Sequence, residues 1–129
     1  MIRVLYVEDN EDNIYMLSRR LKRKSFDVLI ASDGQQGIDM AHAQQPDIIL
    51  MDLSLPVKDG WQAIKELKQN TQLQHIPIIA LSAHAMDQHR LDAIAAGAED
   101  FDTKPVDLKR LLNKMATLLQ HKQQSKGNE

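Results

Sequence analysis

Three acidic residues stand where two apolar segments of the sequence end. Asp52 follows the apolar run at residues 48–51, and Glu8 and Asp9 follow the run at residues 2–7. Short apolar runs bounded by turn-forming residues are typical of strands buried on both faces, which occur in parallel sheets covered by helices. The carboxyl ends of such strands share one edge of the sheet, where open α/β proteins bind their ligands. We therefore expect these three carboxylates to lie close together.

Three carboxylates in one pocket need a cation or a proton nearby. Two unit charges about 4 Å apart repel each other by ~4 kcal/mol at the effective dielectric of a protein surface. Carboxylate oxygens, backbone carbonyls and water suit Mg²⁺, which usually takes one or two carboxylates and keeps several waters. We therefore expect Mg²⁺ to bind at Glu8, Asp9 and Asp52. The alternative is that the three acids are solvated separately in their loops.

Two donor residues follow later apolar segments and are expected at the same edge of the sheet. Ser82 follows the segment 77–81, and Lys104 follows the segment 100–103. A phosphoryl group needs donors such as an ammonium and a hydroxyl, and an aspartate at the centre can act as a nucleophile that forms an aspartyl phosphate. Taken singly, Lys104 could be a surface lysine and Ser82 a helix cap. Their joint position favours a phosphoryl site around Asp52.

The segments that position these residues alternate between strand and helix patterns. We predict strands at residues 2–7, 27–31, 48–51, 77–81 and 100–103. We predict helices at residues 14–24, 35–45, 61–67, 87–96 and 108–119. Five such units joined by short loops indicate an α/β fold, a doubly wound five-stranded parallel sheet with strand order 2-1-3-4-5 and right-handed crossovers. The fifth strand has the polar alternation of an edge strand, since Asp100 and Asp102 flank Phe101.

Length and composition fit one folded domain without disulfides. The chain has 129 residues, a formal net charge of −2 and no cysteine. We expect the domain to span residues 1–120 and to be followed by a flexible tail at 121–129. The sequence shows no signal-peptide pattern and no apolar run near the ~20 residues that cross a bilayer, so we expect a cytoplasmic protein without membrane contact. Residues 19–24 are basic, and we interpret them as a solvated helix face, with no direct nucleic-acid binding.

The motifs around the candidate residues resemble the response-regulator receiver domain of two-component signalling, the CheY-like family with a flavodoxin-like fold. The resemblance covers residues 2–119, almost the whole chain. It is carried by VEDN at 7–10, ILMDLSLP at 49–56, Gly60, IIALSA at 78–83, GAEDF at 97–101 and KP at 104–105. Because the motifs are spread over all five units, the resemblance is specific.

This resemblance implies a role for each acidic residue. Asp52 is expected to be the phosphoacceptor, and Glu8 and Asp9 are expected to hold Mg²⁺. Asp52 and the backbone carbonyl of Ser54 would complete the protein ligands of the metal. Ser54 also matches a position that affects the lifetime of the phosphoryl group in the family.

The resemblance also implies roles for residues of the later loops. Ser82 and Lys104 are expected to bind the phosphoryl oxygens, and Ser82 and Phe101 to act as the switch residues. The peptide bond between Lys104 and Pro105 is expected to be cis. His84 matches a second position that affects the lifetime of the phosphoryl group.

The implied function is a stand-alone phosphoacceptor switch of two-component signal transduction. We expect Asp52 to take a phosphoryl group from a sensor histidine kinase or a histidine phosphotransfer protein. We expect no classical enzyme, but a protein that assists its own phosphoryl transfer and dephosphorylation. Since the sequence contains no recognisable effector domain, output is expected through a downstream protein. Self-association through the fourth helix, fifth strand and fifth helix is a further possibility.

Three other functions fit parts of the sequence. A receiver-like interaction module would work without phosphorylation, but it would have no physical need for a costly acid cluster. A haloacid-dehalogenase-like phosphatase would need a second acid two residues after Asp52, and that position is Ser54. A flavodoxin-like FMN carrier would need a first loop that binds phosphate, whereas EDNED at residues 8–12 would repel it.

Overall fold

The architecture is given by a computed structural model, which describes residues 1–83 and 87–127. Within these ranges, strands and helices alternate along the chain. The strands are β1 (Arg3–Val7), β2 (Asp27–Ala31), β3 (Ile48–Asp52), β4 (Ile78–Ser82) and β5 (Asp100–Thr103). The helices are α1 (Glu11–Arg23), α2 (Gly34–Gln44), α3 (Gly60–Gln69), α4 (Asp87–Ala96) and α5 (Leu108–Gly127). The predicted alternation of strands and helices is confirmed, and most ends shift by only a residue or two.

The strands form one parallel sheet in the order β2-β1-β3-β4-β5, as predicted. The central strands β1 and β3 pair Val7 with Met51, and β3 and β4 pair Asp52 with Leu81. Because all strands run in the same direction, the loops that follow them share one edge of the sheet. Strand order reverses between β1 and β3, so the first and third loops meet at this edge.

Helices cover both faces of the sheet and form two apolar cores. On one face, residues of α2, α3 and α4 pack against strand residues such as Leu5 and Val7. On the other face, residues of α1 and α5 pack against Val4 and Tyr6. Alternate residues of β1 therefore face opposite cores, as a strand buried on both faces requires.

Three helices begin at side-chain caps that the sequence supplies. Asn10 caps α1 by accepting a hydrogen bond from the Asn13 backbone N–H at 2.9 Å. Asp33 and Asp59 cap α2 and α3 in the same way. Asp12 lies in the first turn of α1, after the cap at Asn10. Each such cap satisfies a backbone donor that the helix itself cannot.

Gly60 lets α3 begin directly behind the end of β3. A Cβ atom at this position would overlap the carbonyl oxygen of Asp52 and come within 2.6 Å of Leu53 Cα. The Gly60 N–H donates a hydrogen bond to the Leu53 carbonyl at 3.1 Å. The loop that carries Asp52 is thereby held by backbone contacts with the following helix.

Helix α5 is longer than the sequence pattern predicts. We expected a flexible tail from residue 121, but the helical backbone continues to Gly127. The intervening residues are mostly Lys and Gln, which are good helix formers, and no Gly or Pro interrupts them before Gly127. Mobility of this end stays a prediction. No helix in the described part of the chain has the length and apolar character needed to cross a membrane.

The expected exposure of β5 is wrong at one residue. We interpreted Asp102 as an exposed polar residue of an edge strand, but it is only 3% exposed. Its Oδ1 accepts a hydrogen bond from Arg110 Nε of α5 at 2.8 Å, and its Oδ2 is buried without a partner. The sequence alternation does not reveal this, because α5 covers that face of the edge strand.

Candidate functional site

The structure brings the three predicted acids together at the carboxyl edge of the sheet. Glu8, Asp9 and Asp52 each place one carboxylate oxygen within 4.8 Å of the other two. Glu8 and Asp52 are buried, with 1% and 4% exposure, whereas Asp9 is exposed. The buried pair cannot be stabilised by water, so the site depends on protein donors and cations.

Lys104 supplies the protein's own positive charge to this cluster. Its Nζ lies 2.5 Å from Oε1 of Glu8 and 3.2 Å from Oδ1 of Asp52. The lysine follows β5 directly and reaches across the edge of the sheet to acids that follow β1 and end β3. One ammonium group therefore bridges two buried carboxylates.

The electrostatic balance differs between the two carboxylates. Burial, reinforced by a hydrogen bond and the negative charge of Glu8, raises the pKa of Asp52 to about 6. Burial would also raise the pKa of Glu8, but hydrogen bonds with Lys104 and Asp52 outweigh it and hold that pKa below its ordinary value. The same contacts outweigh the effect of burial on Lys104 and raise its pKa. Glu8 and Lys104 therefore behave as an ion pair. The ionised form is less favourable for Asp52 than for Glu8.

The two predicted serines lie where β3 and β4 end. Ser82 ends β4, one residue beyond Leu81, which is the partner of Asp52 in the sheet, and it is 3% exposed. Its Oγ lies 3.5 Å from Nδ1 of His89 in α4. Ser54 is exposed, and its backbone N–H is 3.4 Å from Oδ1 of Asp52. The role of its carbonyl as a metal ligand stays a prediction.

Three further predictions concern the loops around β4 and β5. The Lys104–Pro105 peptide bond is cis, as the resemblance implies. Phe101 is 6% exposed and packs in the core under α2, α3 and α4. Phe101 is thus already buried in this conformation, and its expected switch role stays a prediction. His84 lies outside the described residues.

The donor set fits a divalent cation that prefers oxygen ligands. Glu8, Asp9 and Asp52 offer carboxylate oxygens at a spacing that one ion can bridge. Asp9 faces solvent, so an ion bound there would keep part of its water shell, as hard cations of this kind prefer. Lys104 alone leaves the three acids with a net negative charge. The cluster is therefore a candidate site for a divalent metal.

Sequence reasoning missed two residues that contact the acids. The Tyr6 hydroxyl donates a hydrogen bond to Oε1 of Glu8 at 3.3 Å, and Asn13 Nδ2 donates to the same oxygen at 3.2 Å. Tyr6 looked like an ordinary core residue of an apolar strand. The signal was its position two residues before Glu8, because residues i and i+2 of a strand share a face.

Sequence reasoning also missed a contact chain between α3 and α4. His89, next to Ser82, meets the ring of Trp61 edge to face, with centroids 5.4 Å apart. Trp61 is partly buried and packs against the core beneath α2, α3 and α4. No periodicity in the sequence links Trp61 with His89, because their contact depends on how two helices cross.

Comparisons with known proteins agree on one family. The family model described as "Response regulator receiver domain" matches residues 4–116. Protein PilH of Pseudomonas aeruginosa is 32% identical over 119 residues, which are 92% of this chain and 98% of PilH. Response regulator PleD of Caulobacter vibrioides is 34% identical over 120 residues, or 93% of this chain. The chain spans only about a quarter of the length of PleD, 26%.

A solved structure is similar in both fold and sequence. It is the receiver domain of sensor histidine kinase PA1611 from Pseudomonas aeruginosa, with a magnesium ion coordinated in its active site cleft. The two chains share 33% identity and superpose with a TM-score of 0.85, covering 92% of this chain and 97% of the other.

The raised pKa of Asp52 predicts how stability without metal depends on pH. The folded protein binds a proton at Asp52 up to a pH of about 6, while the unfolded chain releases it near the ordinary value of 3.8. The stability that this proton gives is therefore complete below pH 3.8 and is lost as the pH rises through about 6. Asp52→Asn should raise the free energy of unfolding at pH 7.5 by about 3 kcal/mol, and by much less at pH 4.

Urea unfolding in the presence of a chelator checks this expectation. Asp39→Asn, the same change at an exposed site of α2, is the matched control and should show no comparable pH dependence. An Asp52→Asn advantage of equal size at pH 4 and pH 7.5 would contradict the prediction.

Proposed function

The chain belongs to the response regulator receiver domain family of two-component signalling, whose domains act as phosphoacceptor switches, and we propose that Asp52 accepts the phosphoryl group. The observation that carries this proposal is the bridge from Lys104 to Glu8 and Asp52. It holds a buried nucleophilic carboxylate beside an ammonium group that can bind phosphoryl oxygens. Proteins similar to this chain are signalling proteins, not classical enzymes.

The proposed reaction moves a phosphoryl group from a histidine nitrogen to Asp52. An Asp52 oxygen attacks phosphorus, the P–N bond breaks, and the histidine nitrogen keeps the bonding electrons and takes a proton. The Lys104 ammonium and the Ser82 hydroxyl would donate hydrogen bonds to the phosphoryl oxygens, which carry the developing charge. With these donors the chain would assist its own phosphorylation and the later hydrolysis of the aspartyl phosphate.

We assign the metal of this site to Mg²⁺, held by Glu8, Asp9, Asp52 and the backbone carbonyl of Ser54. When bound, Mg²⁺ would neutralise the acids and polarise the phosphoryl oxygens. The donor set of three carboxylates supports this assignment. Magnesium in the active site cleft of the PA1611 receiver domain agrees with it.

The phosphoryl donor would be a sensor histidine kinase or a histidine phosphotransfer protein. A cavity of about 210 Å³ beside the site is lined by α1 and the loop after β5, and it includes Met16, Lys104 and Pro105. Met16 is 54% exposed, so it offers apolar contact area next to the acids. We propose this surface as the docking area of the donor. Such donors and a cysteine-free composition support a cytoplasmic location.

The alternatives have less support. A module that works without phosphorylation would still carry the cost of two buried carboxylates at 1% and 4% exposure. A phosphatase of the haloacid dehalogenase type lacks its second acid, since Ser54 stands two residues after Asp52.

Output would begin at Ser82 and pass to the face formed by α4, β5 and α5. Moving a two-state equilibrium from 1:99 to 99:1 takes ~5.5 kcal/mol, and each hydrogen bond to a charged group contributes roughly 1.5 to 3 kcal/mol. Two or three new bonds to the phosphoryl oxygens are therefore sufficient. Since Phe101 is already buried, movement of Ser82 and its neighbour His89 is the step left to phosphorylation. A downstream protein or a second copy of the chain would bind the altered face.

Phosphoryl uptake should require both Asp52 and a divalent metal. With phosphoramidate as donor, we expect Asp52→Asn to reduce the covalent label to background, because the variant has no nucleophilic carboxylate. Chelator should do the same to the parent chain. Intact-mass spectrometry measures the label, and Asp39→Asn should label as the parent does. Labelling of Asp52→Asn at the parent's rate, or labelling that ignores chelator, would defeat the assignment.

Magnesium affinity should depend more on Asp9 than on Glu8. Loss of a residue that orients a ligand costs about 10- to 100-fold in metal affinity, and loss of a direct ligand costs more. We expect Asp9→Ala to weaken Mg²⁺ binding by more than ~100-fold and Glu8→Ala by roughly tenfold, because protein donors already occupy the Glu8 oxygens and Glu8 would hold the metal mainly through water. Calorimetric titration measures both. Unchanged affinity in both variants would place the metal elsewhere.

The phosphoryl mimic beryllofluoride should alter the proposed output face. We expect amide shifts at Ser82 and His89 and at the exposed residues Arg90, Leu91 and Lys109. Asp102, which is buried, should respond only through its backbone. Ser82→Ala is the control and should keep the shifts near Asp52 while losing those of α4. Shifts confined to the Asp52 pocket in the parent chain would rule out this route.

A further inference from the structure

The Glu8 carboxylate accepts hydrogen bonds from several donors besides its ion-pair partner Lys104. Its carboxylate is 1% exposed. Oε2 accepts from the backbone N–H groups of Asp9 and Asn10, at 3.1 Å and 3.4 Å. Oε1 accepts from Lys104 Nζ at 2.5 Å, Asn13 Nδ2 at 3.2 Å and the Tyr6 hydroxyl at 3.3 Å. One charged donor and two neutral donors therefore share a single oxygen.

The neutral donors cannot leave the site as easily as the lysine can. Tyr6 belongs to β1 and its ring is 1% exposed in the core beneath α1 and α5. Its hydroxyl lies at the end of that buried ring, 3.3 Å from Oε1 of Glu8, and donates to it. Asn13 is held in the first turns of α1, where Asn10 caps the helix. Lys104, by contrast, is attached by a long flexible side chain.

In the phosphorylated protein, the Glu8 carboxylate and the phosphoryl group would compete for the hydrogen bonds of the Lys104 ammonium. The ammonium group lies 2.5 Å from Glu8 and 3.2 Å from Asp52, so a phosphoryl group on Asp52 would draw it away from Glu8. Glu8 would then be a buried carboxylate that has lost the hydrogen bond of its ammonium donor, and the Mg²⁺ proposed above would offset its charge without replacing that bond. Leaving such a group short of donors is strongly unfavourable.

We propose that Tyr6, supported by Asn13, is a positioning residue that holds the Glu8 carboxylate when Lys104 transfers its hydrogen bond to the phosphoryl group. The proposal rests on the roles proposed above for Asp52 and Lys104. In the resting protein, Tyr6 donates a further hydrogen bond to the Glu8 carboxylate, which already accepts one from Lys104. In the phosphorylated protein, Tyr6 and Asn13 become the main side-chain donors to Glu8. The Tyr6 hydroxyl therefore favours the phosphorylated state over the resting one.

A double-mutant cycle between Tyr6 and Lys104 tests the proposal. The four proteins are the parent chain, Tyr6→Phe, Lys104→Ala and the double variant. The rate of labelling by phosphoramidate at saturating Mg²⁺ is the readout, and thermal unfolding verifies the fold of each protein. Tyr6→Phe keeps the buried ring and removes only the hydroxyl. Tyr15→Phe makes the same change at the chain's other tyrosine, which is 60% exposed, and should label as the parent does.

The expected result is a loss that depends on the presence of Lys104. Losing a hydrogen bond to a charged group changes an equilibrium by roughly tenfold or more. Because Asn13 still donates, Tyr6→Phe should slow labelling of the parent by about three- to tenfold. In Lys104→Ala, Glu8 has no lysine to lose in either state, so the added Tyr6→Phe should slow labelling by less than about twofold. If Lys104→Ala labels too slowly to compare, beryllofluoride affinity in the four proteins should show the same pattern.

Other outcomes would overturn the inference. An equal fold-loss in both backgrounds would assign Tyr6 a merely structural role, and no loss in the parent background would assign it none. If Tyr6→Phe fails to fold, Asn13→Ala replaces it in the cycle and is judged by the same criteria. A parent chain that takes no label at Asp52 would overturn the proposed function, and the inference with it. A labelled parent with additive losses would overturn the inference alone.

Discussion

The repulsion between two buried carboxylates is the constraint on which the rest of the site depends. Glu8 directly follows β1 and Asp52 ends the neighbouring strand β3, and both are nearly inaccessible to water. Like charges at this separation are costly in a protein interior, and Lys104 offsets only one of them. The excess negative charge is what makes the site attract a cation, and the raised pKa of Asp52 expresses the same excess when no cation is bound. The repulsion between the two carboxylates therefore explains both the electrostatic attraction for a cation and the raised pKa of Asp52.

The parallel sheet is the scaffold that can maintain this arrangement. Four successive strand ends deliver Glu8, Asp52, Ser82 and Lys104 to one edge, and each strand is held by its neighbours through the backbone ladder. The acids are thus fixed by the apolar cores on both faces of the sheet, not by contacts among themselves. A protein can hold an unfavourable cluster in this way because the burial of many apolar side chains outweighs a few kcal/mol of local repulsion.

The parts that sequence predicted and those that it missed differ in physical origin. Strand order and the meeting of Glu8 with Asp52 follow from local patterns and from the rules for parallel sheets, so they could be predicted. The donors Tyr6 and Asn13 were missed because their side chains have ordinary alternative roles in a core and a helix. Asp102 was misassigned because its burial depends on a helix that follows it in the chain. Helix α5 ends later than expected because its last residues have helix propensity without apolar periodicity. The errors at Tyr6, Asn13 and Asp102 concern tertiary contacts, and the error at the end of α5 concerns the lack of a helix-terminating residue before Gly127.

Polar contacts at Asp102 and Phe101 hold α5 against β5, which affects how these two elements would bind another protein. Arg110 Nε binds Asp102 at 2.8 Å, and Lys114 Nζ donates to the carbonyl of Phe101 at 2.5 Å. These contacts join the helix to the strand at two successive turns, so the two elements are held together as one block. A molecule that binds this block would find its surface already ordered and would lose little conformational entropy on the protein side. Specificity at this surface would then be decided by shape and charge instead of by induced folding.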